Sequence, residues 1–124
     1  VYQNVRLEKE EEEQNVDAIL SLAEVNFATW KQIEQFAPFG MANPKPTFLF
    51  EKVTLADVRR FGKENAHLEL SFQNSSVKAI AFFADKEKYI NVVAGRVVDL
   101  VATMELNTFR GKRELRLRIV NVLN

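Results

Sequence analysis

The apolar residues of this chain fall into three rhythms. From Val16 to Leu22 they alternate loosely, which predicts a short strand. From Phe27 they recur at every third position, as Phe27, Trp30, Ile33 and Phe36, which predicts a helix with Asn26 as its N-cap. After Pro46 the period drops to two. Phe48, Phe50 and Val53, continued by Val58 and Phe61, predict a first strand, and Gly62-Lys63-Glu64-Asn65 supplies a turn. Leu68, Leu70 and Phe72, with His67, Glu69 and Ser71 on the opposite face, predict a second strand that ends at Asn74-Ser75-Ser76. Val77 to Phe83 is apolar on both faces apart from Lys78 and reads as a central third strand. Asp85 to Val93 suits a short helix closed by Gly95, Val97 to Leu106 a long fourth strand, and Asn107 to Lys112 a hairpin around Gly111. Leu115, Leu117 and Ile119, alternating with Glu114, Arg116 and Arg118, form the fifth.

All three prolines and one of the four glycines lie in the nine residues Pro38 to Pro46. Each proline removes an amide donor and biases its predecessor away from the helical basin, so this stretch reads as a stiff connector. The expected organisation is an acidic leader with a strand and a helix over 1–37, the connector over 38–46, and a β domain over 47–124. Three strands, a short helix and two strands are the order of a mainly β fold, the five-stranded Greek-key OB barrel, with an SH3-like barrel as competitor. The helix between strands three and four favours the OB order.

Composition narrows the chemistry. The chain has 124 residues, no Cys and one His, His67, which excludes thiolate nucleophiles, Cys-bearing zinc sites and any site built from two imidazoles. A Ser-His-Asp relay lacks its Gly-x-Ser-x-Gly elbow. The most hydrophobic region, Tyr89 to Met104, is interrupted by Arg96 and Asp99, so no membrane span is expected; the acidic start lacks the features of a secretory signal, and a cytoplasmic location is expected. Seventeen basic residues balance seventeen acidic ones. The balance is uneven along the chain: through Glu51 nine acidic residues face four basic ones, and beyond it thirteen basic residues face eight acidic ones. The run Glu8 to Glu13 is read as a solvated loop or helix edge; nothing in its spacing suggests a metal cluster.

An OB barrel grips its ligand across strands two and three, between the loop joining strands one and two and the loop joining strands four and five. The first of these carries Arg59, Arg60 and Lys63 around Phe61 and His67; the second carries Arg110, Lys112 and Arg113 beside Phe109. Cations interleaved with rings suit a flexible nucleic-acid strand, because charge neutralises phosphates while flat rings stack on bases. Phe109, at a hairpin apex, is the stacking candidate. Phe61 is either inward core or part of the face, and His67 reads as a strand-edge residue. Arg116 and Arg118 either extend the basic track or pair with Glu105 and Glu114. Trp30 is read as core or domain interface.

Phe39-Gly40-Met41-Ala42-Asn43-Pro44-Lys45-Pro46 resembles the Phe-Gly-x-Gly-Asn-Pro-x-Pro connector of RecJ-type single-stranded-DNA-specific exonucleases. Val58-Arg59-Arg60-Phe61-Gly62-Lys63 with His67-Leu68, then Ala79-Ile80-Ala81-Phe82 and Asn107 to Ile119, are similar to later parts of the same C-terminal region. The resemblance runs from about Val16 onward, and Ala42 departs from the family's Gly. It implies a non-catalytic OB module that helps hold single-stranded DNA for 5′ to 3′ digestion in DNA repair and recombination, in a protein whose Mn or Mg is bound by Asp and His clusters of a catalytic domain. Those clusters cannot be built here, so no catalytic residue, metal ligand or cofactor is expected in this chain, which looks like a part beginning in the last strand and helix of the preceding domain. The implied partners are single-stranded DNA and the other domains of such an exonuclease, with no membrane. The alternative is a structural or protein-docking module that braces the catalytic domains or receives a partner protein.

Overall fold

The structure is a computed structural model that describes residues 5–9, 12–40 and 43–123, with side chains described from Val16 onward. In chain order it contains β1 (Val5–Lys9), β2 (Glu12–Val16), β3 (Ala18–Ile19), α1 (Phe27–Glu34), β4 (Phe48–Phe61), β5 (His67–Phe72), β6 (Lys78–Ala81), β7 (Val97–Phe109) and β8 (Lys112–Leu123). The sheet runs β4-β5-β6-β8-β7 and closes because β7 also pairs with β4. Within this ring only β6 and β8 are parallel. This is the strand order of the expected OB barrel.

Closure rests on β4, which serves two neighbours in turn. Phe48 to Thr54 pair with β7, and Leu55 to Phe61 pair with β5. Between Phe50 and Val53 the register against β7 slips, so that Glu51 and Lys52 together oppose Asp99. Such a bulge bends the strand and adds twist. Lys52 sits at φ +51, and its amide donates to Asp99 Oδ1 at 2.9 Å. A second slip, at Ala56, completes the handover to β5.

Alternation then sorts the side chains. Leu55, Leu68, Leu70, Leu100 and Leu117 point into the barrel and are fully buried. Ile33 of α1 and Tyr89 and Val92 of the segment after β6 join the same core. A smaller cluster of Val16, Leu49, Val101 and Leu123 lies apart from it. β3 adds a parallel pairing to the start of β4, Ala18 with Phe48 and Ile19 with Leu49.

The Asn26 cap is present, its Oδ1 accepting from Thr29 N at 2.9 Å. Only Ile33 of the predicted stripe is buried; Trp30 is half-buried against the core, while Phe27 and Phe36 are exposed. The reason is geometric. Three-residue spacing falls about 60° short of a full turn at each step, so Phe27, Trp30 and Ile33 fan across roughly a third of the helix surface, and Phe36 lies beyond the helix end. In the connector, Asn43 Nδ2 donates to the carbonyls of Phe36 and Pro38, and the Gly40 and Asn43 backbones bond each other. Met41 and Ala42, the latter the departure from the family's Gly, lie outside the described residues.

Three expectations are corrected. Asp85 to Val93 is a run of turns rather than a regular helix: Tyr89 N reaches Asp85 O at 3.3 Å, but Ile90 and Val92 bond three residues back. Ile90, Asn91, Val92 and Val93 are weak helix formers, and eight or nine residues are too few to sustain a helix that docks by only two side chains. The third strand ends at Ala81, leaving Phe82 and Phe83 outside the sheet. The glutamate run falls largely on the β1–β2 hairpin, where Glu8 pairs with Glu13; Glu10 and Glu11 lie outside the described residues. Val5, Leu7 and Val16 carry the strand alternation that the intervening charges mask.

Because Ile33 is part of the barrel core, Ile33→Ala should cost about 2–4 kcal/mol in urea unfolding. Gln32→Ala, one position away on the exposed side, should change stability by less than about 0.5 kcal/mol.

Candidate nucleic-acid interface

Strand register lays out the outer face of the barrel without reference to any ligand. Opposite the buried row, Phe61 pairs with His67 and Arg59 with Glu69 across β4 and β5. Glu69 then meets Ile80, and Ile80 meets Arg118 across β6 and β8. On β7, Glu105 stands beside Arg116 and Thr103 beside Arg118. The face therefore begins with a row of rings at the end where β4 turns into β5 and continues as rows of mixed charge.

The rings touch. His67 lies 5.3 Å from Phe61, 5.1 Å from Phe82 and 4.9 Å from Phe83 between centroids, the last two edge-on. Guanidinium groups cover their outer sides: Arg59 is 5.1 Å from the Phe61 centroid, and Arg118 and Arg116 are 4.5 and 5.8 Å from that of Phe82. Each such contact contributes about 0.5–1 kcal/mol at an exposed site.

Two carboxylates hold these arginines. Glu69 accepts from Arg59 at 3.0 Å. Glu105 accepts from Arg116 Nε at 2.8 Å and from Arg118 at 3.1 Å. Burial pushes the Glu105 carboxyl up, but the hydrogen bond and charge of Arg116, with those of Arg118, outweigh it and hold the group below its ordinary value.

His67 ties the ring row to the backbone. Its Nδ1 accepts from Phe83 N at 3.1 Å, which places the ring proton on Nε2. Ala84 N bonds Ala66 O at 2.8 Å, and Arg60 donates to Ala84 O at 2.8 Å. These contacts pin Phe83 at φ +51, a left-handed conformation that costs a bulky residue about 1–2 kcal/mol, and leave the residue 83% exposed. Gly62 makes the arrangement possible. At φ +83 and ψ −179 it occupies a region open only to glycine, and a Cβ there would fall 2.4 Å from His67 Cδ2.

Comparison with known proteins bears on this barrel. The family model described as the RecJ OB domain matches residues 16–121. The chain belongs to the RecJ OB-domain family. It is 28% identical over 107 residues to the single-stranded-DNA-specific exonuclease RecJ of Bacillus subtilis (strain 168), covering 86% of this chain and 14% of that protein. In fold it is similar to RecJ of Thermus thermophilus crystallised with Mg2+, at a TM-score of 0.67 and 16% identity over 88% of this chain and 16% of that one. A putative aspartyl-tRNA synthetase of Leishmania major Friedlin is also similar in fold, at a TM-score of 0.55 and 13% identity over 85% of this chain and 20% of that one. The chain thus spans about a seventh of the length of its curated RecJ relative.

Within this RecJ OB domain the nine sequence-predicted contact residues separate into four groups. Arg59, Arg116 and Arg118 lie on the ring-bearing face, the last two paired with Glu105. Arg60, one position from Arg59, points the other way. It pairs with the buried Leu68, and its guanidinium is engaged by the Ala84 carbonyl at the barrel mouth, because neighbouring strand residues face opposite sides. Phe109, Arg110, Lys112 and Arg113 occupy the exposed β7–β8 hairpin, where Arg110 at φ +50 and Gly111 at φ +78 make a two-residue turn and Arg110 sits 5.1 Å from the Phe109 centroid. By register this tip is six residues from Arg118, roughly 20 Å along β8. Lys63 is exposed in the β4–β5 loop, and Arg113 leans 5.8 Å from the Phe27 centroid.

Phe82 and Phe83 were not among the expected contacts. Their signal in the sequence is the pair of rings directly before Ala84-Asp85, where a central strand has to end. Among the described residues no group of three or more His, Cys, Asp or Glu side chains gathers as a metal site would require, so these residues do not fit a divalent-metal centre. No helix among the described residues is long and apolar enough to cross a membrane.

Gly62→Ala should destabilise the fold by about 1–3 kcal/mol in chemical unfolding and move the His67 ring resonances, since the added methyl displaces the imidazole. The Glu105 pair predicts an acid effect. A carboxyl lowered in the folded state stabilises the fold above its unfolded value and loses that contribution as protons bind the native form. The stability difference between wild type and Glu105→Gln should therefore be present at neutral pH and shrink as pH falls below about 4.

Proposed function

We propose that this chain is the non-catalytic, single-stranded-DNA-binding OB module of a 5′ to 3′ exonuclease, guiding the strand toward catalytic domains elsewhere in the protein. The observation that carries the reading is the row Phe61 of β4, His67 of β5 and Phe82 just past the end of β6, flanked by Arg59, Arg116 and Arg118. Family membership and the printed name of the Bacillus relative support the choice of substrate. On this reading residues 47–124 form the binding domain, the divalent metal belongs to the catalytic domains, and the protein works in the cytoplasm.

The arrangement handles a strand by two means. Rings accept bases regardless of identity, because every base has a π face. Arginines meet phosphates, and here each must exchange an internal carboxylate for the strand. Phosphates therefore gain less than they would from free cations, so affinity is modest and salt-sensitive. The exposed hairpin, with Arg110, Lys112 and Arg113 beside Phe109, extends the contact at the far end of the face.

A docking role is the second reading, and it is favoured by the exposure of Phe27 on α1 and of Phe36 just beyond its end. Charge reversal of Arg110, Lys112 and Arg113 separates the two. On the DNA reading it weakens binding of a labelled oligothymidylate and flattens the log-log salt dependence by about 2, three phosphates at roughly 0.7 each. If the intact exonuclease keeps its activity while its stability falls, docking is the better account. Fluorescence anisotropy should show strand binding by the wild-type chain at about 20 mM salt and a marked loss by about 200 mM; no binding at the lower value ends the DNA reading.

A further inference from the structure

Beside the outer face, where β6 gives way to the turns that follow it, lies a cleft of about 410 Å³. Phe82 and Phe83 form one side, and Lys88, Tyr89 and Arg118 contribute to its lining. Phe83 is the unusual element. Three hydrogen bonds, from its own amide to His67, from Ala84 N to Ala66 O and from Arg60 to Ala84 O, hold a bulky residue in a left-handed conformation. The result is an aromatic residue that is 83% exposed at the edge of a cleft. Its ring meets His67 edge-on at 4.9 Å and leaves its faces to the cleft side. A strained residue fixed by its surroundings, presenting a flat apolar face beside cations, is what a site for a planar ligand joined to an anion requires.

We propose that this cleft takes a single nucleobase of the bound strand, stacked on the exposed face of Phe83, with the adjoining phosphate met by Lys88 or Arg118. The proposal rests on the strand-binding reading and adds to it a discrete base site outside the strand-borne row. Tyr89, whose phenol is pushed up by burial despite the opposing charge of Arg60, stays neutral beneath the site and remains a hydrogen-bonding group rather than a repelling anion. Lys88 lies 5.5 Å from the Tyr89 ring centroid, within the same cleft.

The test compares two fluorescein-labelled strands of about 12 nucleotides, within the span of one OB fold, one of oligothymidylate and one of the same backbone with abasic sites. Phe83→Ala and Phe83→Gly are measured against wild type on both. The expected result is a loss of roughly 5- to 100-fold on oligothymidylate and no change on the abasic strand. Phe83→Gly should melt no lower than wild type, because glycine accepts the positive φ, so a loss of binding in that variant is not a loss of fold. The base site is overturned if wild type binds oligothymidylate and both variants bind it equally well, or if they lose the same factor on both strands. If wild type binds neither strand at about 20 mM salt, the strand-binding reading falls together with the site.

Discussion

The barrel depends on one strand changing partners halfway along. β4 pairs with β7 by its first half and with β5 by its second, and the two residues placed opposite Asp99 bend it around the core. Asp99 is nearly buried, and its carboxylate accepts the Lys52 amide that the bulge would otherwise leave without a ladder partner. The ordering of the rest follows. With the turn made, Leu55 can bond the Gly95–Arg96 backbone on one side while pairing with Phe72 on the other. Every later register, including the one that faces Arg118 with Ile80, is measured from that handover.

Parity along the strands then decides which charges can act. Arg59 and Arg60 are indistinguishable in composition, yet one lies beside a ring on the outer face and the other turns away to the Ala84 carbonyl. The same rule puts Arg116 and Arg118 together and leaves Leu117 between them in the core. A basic tripeptide or pentapeptide is thus never a basic patch in a sheet; at most every second residue belongs to it.

Much of the barrel was legible because its strands bury one face. The spacing of Leu68, Leu70 and Phe72, or of Leu115, Leu117 and Ile119, states both the element and its inward side. What could not be read has specific causes. Asp85 to Val93 has polar residues where a helix would start, but its β-branched residues and its anchoring by Tyr89 and Val92 leave it as turns. The aromatic focus of the site was missed because Phe82 and Phe83 continue the apolar run of β6 and differ from it only in backbone conformation, which no residue spacing reports. The Glu105 pairing depends on a cross-strand register that only the closed sheet defines, although the sequence did offer it as one of two alternatives for Arg116 and Arg118.

The carboxylate shared by Arg116 and Arg118 has a kinetic side. A surface whose cations already have internal counter-ions presents a shallow energy profile, because whatever leaves an arginine is replaced at once by Glu105. No deep electrostatic well forms at any single position. A polyanion on such a surface can shift along by one repeat without first breaking free, and the barrier to sliding is lower than the barrier to release.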